Sequence, residues 1–204
     1  MFELYNPCEK TCPERVDIGG ETVGVNADFR NILKIIAVLG DREVPRAVQA
    51  KKVAEWFFKG GEGIRPDEAV RIFVDFVSLP GAKQSWYSGS DLSDAAPEER
   101  ERQFDYYVDS EEIYASFMSE YDINLIRVDY LHWYEFSMLC RNLSRGSAFK
   151  RKLEVRFMDL GVYSRNSRGY AEMARAKRAV QLPVELSAAE MREIEAFDDE
   201  WGRV

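Results

Sequence analysis

The chain has one histidine, His132, and three cysteines, Cys8, Cys12 and Cys140, among 204 residues. A lone imidazole confines any Ser-His or Cys-His hydrolytic scheme to a single position. An odd and small number of cysteines argues against a disulfide framework and suits a reducing compartment. No apolar run approaches the roughly 20 residues that span a bilayer, and the N-terminal MFELYNPCEK lacks the basic-then-apolar layout of a signal peptide. A cytoplasmic location without membrane association is therefore expected. Neither GxxxxGK[ST] nor GxGxxG occurs, and Gly60-Gly61-Glu62-Gly63 reads as a helix terminator rather than a phosphate loop. Positive charge is also short: 28 Lys and Arg face 36 Asp and Glu, a net charge of −8, which opposes non-specific attraction to nucleic acid.

What is present suffices for a core. Hydrophobic residues make up 46% of the chain and aromatic residues 13%. Arg15 to Val25, RVDIGGETVGV, sets two alternating arms around Gly19-Gly20, the kind of dipeptide that supplies positive φ in a tight hairpin. Asn26 and Asp28 then offer N-caps to a helix whose residues Phe29, Ile32, Leu33, Ile36 and Leu39 share a face, with Gly40-Asp41 as its stop. A second helix follows Pro45, with Ala47, Ala50, Ala54 and Phe57 directed toward the core. A third begins at Arg65-Pro66-Asp67-Glu68, where proline and acids suit a helix start, and carries Ala69, Ile72, Phe73, Phe76 and Val77. From Gly81 to about Arg102 the chain is rich in Ser, Gly, Asp and Glu without apolar periodicity, and is read as a mobile acidic linker.

The most aromatic run, LHWYEF at Leu131 to Phe136, holds the only histidine. Before it, Asp109-Ser110-Glu111-Glu112 starts a helix bearing Ile113, Tyr114, Phe117 and Tyr121. The segment INLIRV reads as a short extended connection, with Asp129 capping the next helix. On a helical wheel His132 lies in one apolar arc with Trp133, Phe136, Leu139, Cys140 and Leu143, while Ser137 and Arg141 lie opposite. A further helix spans about Ser147 to Asp159, with Phe149, Leu153 and Phe157 or Arg156 on successive turns. Beyond the breaker region from Gly161 to Arg168, two alanine-rich helical segments follow, the second from Ser187 to Trp201. The expected fold is mainly α: one helical domain with a short N-terminal β-hairpin and a C-terminal helical extension. Its expected divisions are 1–26 for arm and hairpin, 27–158 for the helical core including the linker near 81–102, and 159–204 for the extension. Phe29, Ile32, Ile36, Phe73, Phe76, Ile113, Phe117, Trp133, Phe136 and Leu143 are expected to share one core.

Chemistry is sparse in this pattern. Cys8 and Cys12 could contribute to tetrahedral zinc with His132 and Cys140, but the pair has no second CxxC or HxxxH, so no metal site is assigned. An imidazole among Leu, Trp and Phe reads as a buried, hydrogen-bonded residue rather than a catalytic base. No catalytic residue, cofactor or enzymatic activity is expected. Arg141 to Arg178 holds eleven basic and three acidic residues, whereas Ala179 to Val204 holds two basic and seven acidic ones. The basic run, with Phe149, Phe157, Tyr163 and Tyr170 interleaved, supports an alternative reading as a nucleic-acid-binding regulator; partial neutralisation by the acidic tail opposes it.

Four runs carry a resemblance: ADFRNILKI, DEAVRIFVDF, the long stretch FDYYVDSEEIYASFMSEYDINLIRVDYLHWYEFSMLCRNL, and KRKLEVR. In order, from about Val16 to Arg156, they closely resemble the bacteriophage gene product fifteen family, small tail-region proteins of siphophages and prophages of Gram-positive bacteria. The residues that match its pattern include Phe29, Arg30, Asp109, Ile113, Tyr114, Phe117, Leu131, His132, Trp133 and Phe136. The resemblance implies a non-enzymatic phage or prophage tail-morphogenesis protein of the host cytoplasm, a tail assembly chaperone for the tape-measure protein. The implied partners are phage tail proteins, the tape-measure protein above all. Homo-oligomerisation is compatible with that role, though no heptad pattern points to it.

Overall fold

In the computed structural model the described residues are 12–60, 63–78, 104–165 and 167–183. The acidic linker, Cys8 and the helical segment expected from Ser187 to Trp201 lie outside them. The chain forms two compact units, Met1–Arg151 and Lys152–Val204. Among the described residues no helix is long and apolar enough to cross a membrane.

The fold is mainly α; the described residues form seven helices and a short antiparallel sheet. Strands β1 (Arg15–Ile18) and β2 (Glu21–Val25) pair as the expected hairpin. Gly19 and Gly20 take φ of 60° and 93° at its turn, a region that side chains with a Cβ resist. A two-residue strand β3 (Phe58–Lys59) adds to β2, pairing Val25 with Phe58. It has too few residues to show an alternating pattern in the sequence.

Helix α1 (Phe29–Gly40) starts where Asp28 accepts a hydrogen bond from Arg30 N, and ends before Asp41. Its buried residues are Phe29, Ile32 and Ile35, whereas Ile36 is only half-buried. The expected face is thus corrected by one position. Ile35 and Ile36 project about 100° apart, and packing against α2 and the fifth helix selects the Ile35 side.

Helix α2 (Arg46–Phe57) buries Gln49, Ala50, Val53 and Phe57, while Ala47 is exposed rather than directed to the core. The inward glutamine has a polar reason: its amide donates to Val38 O at 3.0 Å and Asp41 O at 2.6 Å, satisfying carbonyls at the end of α1. Helix α3 (Pro66–Val77) has proline in its first turn as expected and buries Ala69, Phe73 and Phe76. The Phe57 ring lies edge-on to Phe58, Phe73 and Phe76 with centroids 4.9–5.2 Å apart, which joins α2 to α3.

Helix α4 (Ser110–Tyr121) buries Ile113, Ser116 and Phe117. The INLIRV segment is a turn rather than an extended connection: Asn124 accepts from Ile126 N and Arg127 N through its side chain and from Val128 N through its carbonyl. Asp129 does not cap the next helix. Helix α5 (Trp133–Arg141) begins after His132, which is itself the N-cap. Ser137, expected on the solvent side, is buried.

Helix α6 (Ala148–Phe157) starts with Ser147 Oγ accepting from Lys150 N. Its second residue is held across the fold, where Phe149 N donates to Ser116 Oγ at 3.1 Å. Farther along, Arg156 is buried and Phe157 exposed, the outcome left open by the sequence spacing. Arg156 turns inward because its Nε donates to Val180 O at 2.7 Å, near the end of α7 (Arg168–Ala179). Lys177 Nζ donates to Met158 O at 2.9 Å. A 3-10 turn at Leu160–Val162 begins where Asp159 accepts from Gly161 N.

Candidate functional site

The LHWYEF stretch is where the Met1–Arg151 unit is tied together. Two backbone hydrogen bonds, Phe29 N to Leu131 O at 3.0 Å and Trp133 N to Ala27 O at 2.8 Å, flank a bridge between Asp28 and His132. Leu131 is buried beside this junction. Arg30 reinforces it from outside. Its guanidinium donates to both Asp28 carboxylate oxygens at 2.8 and 2.9 Å, and to Val128 O and Asp129 O at 3.0 and 2.9 Å. Burial alone would raise the Asp28 carboxyl, but the hydrogen bonds and charge of Arg30 prevail and hold it below the usual carboxylate value.

His132 is 2% exposed. Its Nδ1 accepts from Tyr134 N at 3.1 Å and its Nε2 lies 3.1 Å from Pro13 O. A carbonyl can only accept, so Nε2 carries the proton and Nδ1 presents its lone pair. The Glu135 carboxylate accepts from His132 N at 3.3 Å, completing a capping box. Both ring nitrogens are thereby committed to backbone groups. Tyr134 donates its hydroxyl to Phe76 O at 2.8 Å, and Trp133 Nε1 donates to Val77 O at 3.4 Å, so α5 also closes the end of α3. Burial pushes the Tyr134 hydroxyl up to about 12 and the Cys140 thiol likewise; neither ionises near neutral pH.

Behind the cap lies an aromatic cluster centred on Phe136. Its ring stacks on Phe29 at 4.7 Å and Phe117 at 5.3 Å, with Trp133 at 5.9 Å and Tyr106 at 6.0 Å. Ile113 is buried on the same helix as Phe117, and Tyr114 is half-buried. Asp109, fully buried, accepts from Asp105 N at 3.0 Å, while Asp105 Oδ1 accepts from Tyr107 N and Val108 N. Asp109 N in turn donates to Asp105 O at 2.9 Å, and this mutual hold gives the four-residue spacing of Asp105 and Asp109 a structural reason.

Sequence reasoning missed Ser116, Gln49 and Ser137. The first two hydroxyl and amide groups satisfy backbone atoms of other helices, for which local sequence carries no signal. Ser137 Oγ is buried with no partner among the described residues. It faces a void of about 10 Å³ lined by Val77, Phe104, Tyr106, Trp133, Cys140 and Arg141, room for one water at most. An unpaired buried hydroxyl carries a desolvation cost. Ser137→Ala is therefore expected to leave stability unchanged or raise it by about 1 kcal/mol, as read from the urea midpoint; a clear loss would mean that Oγ is satisfied.

Among the described residues, no group of three or more His, Cys, Asp or Glu side chains is placed to hold a metal ion. Cys140 is buried, and Cys8 lies outside the described residues. The basic run is used unevenly. Phe149 is buried against Phe104 at 5.4 Å and cannot stack a base, and Lys150 Nζ donates to Arg141 O at 3.2 Å. Arg168 pairs with Glu172 at 2.8 Å. Arg175 and Arg178 are exposed.

The fold and this junction define a mainly helical protein whose most distinctive residues are spent on internal scaffolding. The family model described as bacteriophage Gp15 protein matches residues 9–182, and the chain belongs to that family. No curated protein and no solved structure matches it.

Proposed function

We propose that the protein is a non-enzymatic tail-morphogenesis factor, a tail assembly chaperone that acts on the tape-measure protein in the host cytoplasm. The observation that carries this reading is family membership over residues 9–182, joined to the place of such proteins beside the tape-measure gene that the resemblance implies. The junction at His132 supports the non-enzymatic part, since its polar atoms bind backbone and its ring is buried. Exposed apolar side chains supply contact area without catalysis: Tyr107 is 88% and Ile126 74% exposed. Ile126 stands on a turn braced by Asn124, so little ordering entropy opposes its use.

Co-expression with fragments of the neighbouring tape-measure protein tests the proposal. The expected result is a soluble complex that survives moderate salt. Failure of every tape-measure fragment to co-purify would overturn it. Binding to DNA or RNA that weakens steeply with salt and is abolished by charge reversal at Lys150, Arg151 and Lys152 would favour the nucleic-acid reading instead.

A further inference from the structure

His132 stands at the crossing of three stretches of chain: the arm at Pro13, the start of α1, and the start of α5. The arrangement is satisfied by one protonation state alone. Nδ1 must be bare to accept from Tyr134 N, and Nε2 must be protonated to donate to Pro13 O. A proton taken from solvent onto the Nδ1 lone pair would set two N–H donors face to face at 3.1 Å in a site closed to water. No rotation of the ring repairs this, because an imidazolium has two donors and the site offers one donor and one acceptor. We propose that His132 is a proton-operated N-cap, whose protonation uncaps α5 and loosens the junction that joins Ala27 and Phe29 to Leu131 and Trp133.

The groups around the ring set the direction of the response. Glu135, on α5 itself, and Glu14, in the arm, both favour the imidazolium. Across the bridge Asp28 is paired with Arg30, and α3 presents the Phe76 ring at 6.1 Å. Tyr134 uses its hydroxyl on Phe76 O, and Tyr130 donates to Glu14 Oε1 at 3.1 Å. Burial outweighs the Pro13 contact and both carboxylates, so His132 is held below its ordinary value of 6.5. In the unfolded chain the ring binds its proton more readily than in the folded one. Stability from the neutral cap is therefore complete above about pH 6.5, falls as pH drops below it, and levels off beneath the folded value.

Amide hydrogen exchange on the full chain, corrected for intrinsic exchange rates, tests this at about pH 7.5 and about pH 5. In the wild type, protection at Tyr134 and Trp133 should fall about tenfold or more at the lower pH. In His132→Asn, whose amide oxygen caps without titrating in this range, the fall should be less than about twofold. An equal fall in both proteins would assign the effect to carboxylates and overturn the proposal. Should His132→Asn fail to fold, the ring nitrogens of the wild type can be titrated directly by NMR. Nδ1 bare near neutral pH, with protonation below about 6.5 accompanied by loss of Tyr134 protection, supports the proposal. An imidazolium at neutral pH, or protonation that leaves Tyr134 protected, overturns it.

Discussion

Phe136→Ala is expected to destabilise the Met1–Arg151 unit by about 3–5 kcal/mol. The side chain is 1% exposed and its ring contacts come from separate parts of the chain: Phe29 on α1, Tyr106 before α4, Phe117 on α4 and Trp133 on α5. Removing the ring leaves a cavity bounded by other rings, which are rigid and collapse poorly into the space. Each aromatic pair is worth about 0.5–1.5 kcal/mol beyond its buried area, but these contributions share one ring and do not add. Against a typical stability of about 5–15 kcal/mol, a loss of this size removes roughly a fifth or more of it. Urea unfolding followed by circular dichroism should show a lower midpoint at unchanged slope. Phe136→Leu, which refills much of the volume, should cost less than half as much. A loss below about 1 kcal/mol for the alanine variant would remove Phe136 from the centre of the fold.

How much of this was legible beforehand depends on whether the cause was local. Gly19-Gly20, the Asp28 cap and Pro66 act within a few residues, and each marks its element in the sequence as it does in the structure. LHWYEF was legible as the centre because six residues with four aromatic or imidazole rings have few uses outside a core. Its wiring was not. The partners of His132, Tyr134 and Trp133 are carbonyls 119, 58 and 56 residues away, and every residue type except proline offers the same N–H and C=O. The wheel placed His132 within the helix; its ring instead stands just before it as the cap, a role usually filled by Ser, Thr, Asp or Asn. Family resemblance supplied what periodicity lacked: it singled out Arg30, whose exposed guanidinium braces two distant carbonyls.

Helix α1 offers the sharpest test of register. Ile35→Ala is expected to cost about 2–5 kcal/mol and Ile36→Ala about 1 kcal/mol or less. Both are β-branched residues in the middle of one helix, so propensity and the unfolded chain contribute nearly equally to the two substitutions. The difference then reports burial: Ile35 is 1% exposed, while Ile36 is half-buried. Apolar periodicity alone favours Ile36, since Phe29, Ile32, Leu33, Ile36 and Leu39 form a broad stripe. The structure turns the helix toward Ile35 because the N-terminus of α1 is fixed by three external constraints: the Phe29 N to Leu131 O bond, the Arg30 brace and the stacking of Phe29 on Phe136. Parallel urea titrations of the two variants decide between these orientations. If Ile36→Ala were the costlier change, α1 would be rotated by about one residue, or about 100°, and the Phe29–Phe136 stack could not persist. Coupling between Ile35→Ala and Phe136→Ala in a double-mutant cycle would show whether that constraint is transmitted along the buried face.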